Sequence, residues 1–152
     1  MYGDVQMIHQ EIIEKICVYV DSLKKNFSTH RFEYDIVDGW YEQELYQVEV
    51  RGYFKDEYHP DRQTPFIMLR FSINYEYNEI QVSNIFVPPF MRYNGIGKTL
   101  LQIVFTVAEI ERFYLFLVDM VPSFYQRMIN RGAIPCDGYD DVVQIVKQTK
   151  LV

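Results

Sequence analysis

The stretch from Val87 to Thr99 reads Val-Pro-Pro-Phe-Met-Arg-Tyr-Asn-Gly-Ile-Gly-Lys-Thr, and its residue types and spacing suit the binding of an anion. Pro88 and Pro89 cannot donate to a strand ladder, so the apolar run before them ends at Val87. From Gly95 onward Ile96, Leu100, Ile103 or Val104, Val107 and Ile110 recur with helical period. This predicts a helix from Gly95 to about Glu111 with Asn94 as its N-cap. Strand, tight loop and helix start then bring two glycines beside the orphan N–H groups of a first helical turn. Such a place holds phosphate through backbone donors and the helix dipole.

Spacing separates three glycine-loop patterns. A Walker A loop has the form G-x-x-x-x-G-K-[ST]; Gly97-Lys98-Thr99 supplies its end, but Arg92 stands where the first glycine belongs. A dinucleotide fingerprint has the form G-x-G-x-x-G, and Leu100 occupies the place of its third glycine after Gly95-Ile96-Gly97. The third pattern, [RQ]-x-x-G-x-[GA] with V-x-P five residues upstream, is matched throughout by Arg92-Tyr93-Asn94-Gly95-Ile96-Gly97 and Val87-Pro88-Pro89. Glycines that merely relieve a crowded loop are the bland alternative.

Composition narrows the classes of function. A chain of 152 residues suits one domain, 1–152, that buries its core once. Hydrophobic residues at 49% and charged residues at 24% exclude a disordered chain. A net charge of −6 argues against nucleic acid, and no basic patch accompanies the 13 Tyr and 11 Phe to make a base-stacking surface. Cationic substrates suit that charge better. Cys17 and Cys136 form no cluster, and His9, His30 and His59 lack ligand spacing, so no metal site is expected. Few cysteines, no signal-like N-terminus and no long apolar run predict a cytoplasmic protein without a membrane partner.

The elements that must position the loop follow from periodicity. Ile8, Ile12, Ile16, Tyr19 or Val20 and Leu23 share one face, giving an amphipathic helix to about Lys25. Residues 31–37 are either a short strand or irregular, and Asp38-Gly39 reads as a turn. Alternation predicts a strand over Tyr46–Phe54, a loop from Lys55 to Thr64, a strand over Phe66–Ile73 and another over Glu79–Val87, together an antiparallel meander. After the glycine-loop helix, Phe113–Val118 is an uninterrupted apolar run, as in a strand buried on both faces and parallel to 79–87. Pro122 opens a helix to about Arg131 with Gly132 as its αL terminator; residues 135–141 are turn-rich and 142–146 form an edge strand. The result is an α/β fold with a central mixed sheet flanked by helices.

This order of elements, together with the V-x-P and Arg92-x-x-Gly95-x-Gly97 spacing, resembles the GNAT superfamily of N-acetyltransferases from about residue 8 to the C-terminus. The segments 79–104 and 113–133 match best, and the N-terminal third carries no matching motif. The resemblance implies acetyl-CoA as cofactor, its pyrophosphate held by the N–H groups of Tyr93 through Lys98, with Arg92, Lys98 and Thr99 at the same loop. It implies that the two parallel strands splay apart and that the pantetheine arm pairs with backbone near Ile85, Phe86 and Val87. The partner would be an amine acceptor; a homodimer is left open.

The implied chemistry is direct attack by a primary amine in a ternary complex. A base must first take a proton from the ammonium, whose ordinary pKa is roughly 10.4. A backbone N–H near Phe86 would receive the oxyanion. Phe124-Tyr125 looks like the family's Phe-Tyr signature, which makes Tyr125 the general acid for the departing thiolate. Two departures stand against it. Gly132 follows Tyr125 by seven residues rather than four, a difference near one helical turn, and with Gly132 as anchor Met128 would fall in the acid position. Gln81 stands where some members carry a catalytic glutamate, leaving Glu79 through a water, Glu49 or ordered water itself as the base. These departures favour the alternative of a non-catalytic coenzyme A-binding sensor or interaction module.

Overall fold

The computed structural model describes residues 6–151. Helix α1 (Ile8–Asn26) precedes a run of four strands, β1 (Glu33–Glu42), β2 (Leu45–Lys55), β3 (Gln63–Asn74) and β4 (Glu79–Ile85). Helix α2 (Ile96–Glu111), β5 (Tyr114–Leu117), α3 (Pro122–Asn130), β6 (Ile134–Pro135) and β7 (Val143–Ile145) complete the order. The strands form one seven-stranded sheet in the order β1-β2-β3-β4-β5-β7-β6. Among the described strands only the β4–β5 pair is parallel, as a βαβ crossover through α2 requires. This is the mixed α/β sheet flanked by helices that the sequence implies.

Alternation along the strands decides which face is buried. Val48 and Val50 on β2, Leu69, Phe71 and Ile73 on β3, Ile80 and Val82 on β4, and Leu115 and Leu117 on β5 all point to one face and are buried. Against them lie Ile12, Ile16 and Val20 of α1 and Leu100, Val104 and Val107 of α2, and the two helices also pack on each other. Each such side chain contributes roughly 1.5–3 kcal/mol by leaving water. The other face of β2–β4 stays polar, with Gln47, Arg51 and Gln81 exposed. No described helix is long and apolar enough to cross a membrane.

Four local expectations are corrected. Asp38-Gly39 is no turn, because β1 runs through it with Gly39 paired to Gln47; the reversal lies at Gln43-Glu44, which carries no turn-forming glycine or asparagine. Strand β3 begins at Gln63, inside the stretch read as loop. Strand β5 is covered on one face only, with Tyr114 59% exposed on the other. The segment at 143–145 is internal, since the two-residue β6, hidden in the turn-rich stretch, takes the edge beyond it.

An aromatic cluster ties the start of α1 to the end of the sheet away from the glycine loop. The buried His9 imidazole stacks on Tyr46 at 3.6 Å between centroids, and its Nδ1 lies 2.7 Å from the Tyr75 hydroxyl. The Tyr46 hydroxyl donates to Asp38, and burial with that bond pushes its pKa up to about 12. Burial holds the His9 pKa below its ordinary value, against the smaller opposing pull of the Asp38 charge. The unfolded chain therefore binds more protons than the folded one as pH falls through about 6.5, which lowers stability. The melting temperature is expected to decline between pH 7.5 and 5.5, and His9→Gln to flatten that slope in thermal melts.

Candidate functional site: a forked strand pair beside an uncapped helix

The site begins with one extra residue. Phe71 pairs with Val82 but Arg70 pairs with Asn84, so Ser83 is a bulge in β4. The parallel ladder with β5 ends there, at the Val82–Leu117 pair and the Val118 N–H bond to the Val82 carbonyl of 2.9 Å. Beyond it the strands diverge around a cleft of about 170 Å³ lined by Ser83, Asn84, Ile85, Asp119, Met120 and Phe124. That volume is below the roughly 300 Å³ at which ordinary small-molecule pockets start, so it suits a slender chain. Phe86 N–H donates to the Met68 carbonyl at 3.0 Å, which fixes the alternation of the β3–β4 ladder. The amide of Ile85 consequently turns toward the fork, where no described strand meets it.

Beside the fork stands the start of α2. Gly95, with φ +70°, is the N-cap, and no side chain caps the helix. Asn94 is not the cap: its amide nitrogen donates to the carbonyls of Met91 at 3.0 Å and Arg92 at 2.9 Å and so shapes the loop instead. Met91 and Arg92 N–H groups close a 3₁₀ turn on Pro88 and Pro89, and the next bonded amide is Thr99, which donates to the Gly95 carbonyl at 2.9 Å. The six amides from Tyr93 through Lys98 have no acceptor among the described residues. A Cβ on Gly97 would sit 3.4 Å from the Ile85 methyl, which shows how closely the helix start abuts the end of β4. Free amides, a positive helix end and a narrow cleft are therefore contiguous.

The side chains of the loop frame this row. Arg92 is exposed and its Nε donates to the Val87 carbonyl at 3.3 Å, spanning the loop at its base. Lys98 is half-buried in the first turn, and the Thr99 hydroxyl donates back to the Gly95 carbonyl at 2.8 Å. Ile96 is buried and anchors the helix, whereas Tyr93 is fully exposed with φ +67°. Tyr93 and Gly95 are both left-handed, a backbone form that turns successive N–H groups into a concavity.

The candidate acid and bases separate on position. Tyr125 is half-buried in the first turn of α3, and its hydroxyl has no partner among the described residues. Its neighbour Phe124, under the Arg127 guanidinium at 5.5 Å, lines the cleft while Tyr125 does not. Helix α3 runs unbroken from Pro122 to Asn130 and Gly132 follows with φ +96°, so the interval from Tyr125 to Gly132 is helix and its left-handed end. Met128, the competitor for its place, is buried in the core. Glu79 pairs with Asn74 and Tyr114 at the far end of β4, roughly 20 Å along the strand from Ile85, and the fold does not bring it to Tyr125. Glu49 accepts from Arg70 Nε at 2.7 Å and Arg51 Nε at 2.9 Å. The Arg70 bond foremost holds its pKa below the usual range, which spoils it as a base. Phe86 cannot supply the oxyanion donor, because its amide is spent on Met68.

Ser83 and Asn84 line the cleft and are overlooked by motif reading, although the spacing of Ile80, Val82, Ile85 and Val87 contains a signal. Steps of two, three and two residues place one extra residue between Val82 and Ile85.

No protein-family model matches the chain, and no curated protein matches it in sequence. Among solved structures it is similar to a protein from Agrobacterium tumefaciens assigned provisionally as an acetyltransferase. Their identity is 14% and the TM-score 0.36, over 95% of this chain and 94% of that one.

Proposed function

We propose that this chain is a single-domain N-acetyltransferase of the GNAT type that passes an acetyl group from acetyl-CoA to a primary amine. The observation that carries the reading is the row of six unpartnered amides, Tyr93 to Lys98, set against the bulge-opened fork. The row suits a diphosphate and the fork a pantetheine arm. Arg92 and Lys98 add charge at the phosphates. The coenzyme supplies an activated thioester.

The chain's own groups then divide the work. The main-chain N–H of Ile85 faces the fork and would receive the oxygen that becomes negative as the amine attacks. As the C–N bond forms and the C–S bond breaks, Tyr125 would give its hydroxyl proton to the departing sulfur and regain one from solvent. An ordered water takes the amine proton, since Glu79 is remote and Glu49 is held by two arginines.

Calorimetry with coenzyme A tests the first half of this reading; no binding at high micromolar concentration ends it. Thiol release from acetyl-CoA with a panel of amines tests the second. Tyr125→Phe is expected to lower kcat by about 10² or more at unchanged coenzyme affinity, the usual scale for a lost acid. The absence of Tyr125 from the cleft lining favours a second reading, a coenzyme-binding sensor without turnover. Tight coenzyme binding with no thiol release from any amine would select it.

A further inference from the structure

We propose that the acceptor amine carries a carboxylate, received by Arg70 and Arg51 on the open face of the sheet next to the fork. The inference rests on the acetyl-transfer reading and names the acceptor class for that same site.

One face of the sheet is closed to an acceptor, because α1 and α2 fill it and Ile85 abuts Gly97. An amine must come to the fork across the polar face. Alternation places Asn84, Arg70, Glu49 and Arg51 on that face, since Phe71, Val48 and Val50 point into the core. Asn84 lines the cleft and is the cross-strand partner of Arg70, which is in turn the partner of Glu49. The path from the fork to the guanidinium groups is about two strand spacings, roughly 10 Å.

Two cations share one carboxylate here. Glu49 takes the Nε of each arginine, and the terminal nitrogens of both guanidinium groups have no acceptor among the described residues. Asp35, the cross-strand partner of Arg51, adds a second carboxylate at the far end of the cluster, so its positive charge lies on the Arg70 side, next to Asn84 and the fork. Glu49, only 21% exposed, fixes both side chains, which leaves their free edges set for a planar oxyacid. An unadorned cationic amine gains nothing from such a neighbour. An aminocarboxylate is held at one end while its amine reaches the cleft.

The probes are ε-aminocaproate and hexylamine, which share an alkyl chain and amine and differ in the carboxylate. Calorimetry on the coenzyme A-saturated protein is expected to show ε-aminocaproate binding at least tenfold more tightly, and Arg70→Gln to bring that ratio to about one. Thiol release from acetyl-CoA is expected to show the same ratio in KM. Arg51→Gln provides a second variant, expected to reduce the ratio in part. Equal binding of the two probes to the wild type, or equal weakening of both by Arg70→Gln, overturns the proposal. Arg70-dependent binding without thiol release from any amine keeps the anion site and removes the transfer reading. Thiol release that is equal for both amines and indifferent to Arg70 does the reverse.

Discussion

Lys98→Glu is expected to weaken coenzyme A binding by about 10- to 100-fold while leaving the protein as stable as before, or slightly more so. The two effects have opposite signs for one electrostatic reason. Lys98 is the third residue of α2, a helix whose N-terminus no side chain caps. A carboxylate placed there complements the positive helix end and adds about 0.3–1 kcal/mol to folding. The same carboxylate faces the diphosphate that the row of amides is proposed to hold, and it replaces a cation worth roughly 1.5–3 kcal/mol to a charged ligand. Lys98→Gln separates the lost attraction from the added repulsion and should fall between the two. Raising salt should narrow the spread, because charges at a solvent-open loop are screened over about 10 Å at 0.1 M. Thermal melts and calorimetry on the three proteins decide the matter. Unchanged affinity in Lys98→Glu would place the diphosphate elsewhere.

The parts of the fold that repeat are legible in the sequence; the parts that make the site depend on single departures from repetition. Helix α1 and strands β2 to β4 announce themselves because Ile12, Ile16 and Val20, or Val48 and Val50, recur with one period over several turns or pleats. Strand β1 does not, since an edge strand pairs on one side only and most of its side chains face water. Strand β6 is too short to show a period at all. At the site, the glycine spacing points to the loop but not to how its amides are freed. Asn94 has the composition of a cap, yet its side chain bonds backward to Met91 and Arg92, and Gly95 takes the cap position with nothing to offer the helix. Composition at a helix start does not say which way an asparagine amide turns. Catalytic carboxylates are harder still. Whether Glu49 is a base depends on two arginines, one from the same strand and one from its neighbour, and only the register between β2 and β3 brings the second within reach.

Deleting Ser83 is expected to close the fork and abolish the proposed acetyl transfer without unfolding the chain. Removing the extra residue lets Arg70–Asn84 follow Phe71–Val82 in unbroken register. The faces are preserved: Val82 and Ile85 still point into the core and Asn84 still points to the polar side. What changes is the far side of β4. The Ile85 amide, now two residues beyond Val82, comes into position to extend the parallel ladder with β5 by bonding the Val118 carbonyl. One ladder bond then occupies the space and the main-chain donor proposed for the coenzyme arm and the oxyanion. An added backbone bond is worth about 0.5–1.5 kcal/mol net, enough to offset part of the strain of shortening the connection to α2 by one residue. The melting temperature should therefore stay within a few degrees while kcat/KM falls at least 10²-fold, the usual cost of losing one oxyanion donor. Ser83→Ala keeps the backbone and is the control, expected to retain the fork and its activity. Full activity in the deletion would separate the bulge from catalysis, and loss of folded signal in circular dichroism would show that the bulge relieves strain the sheet cannot otherwise bear.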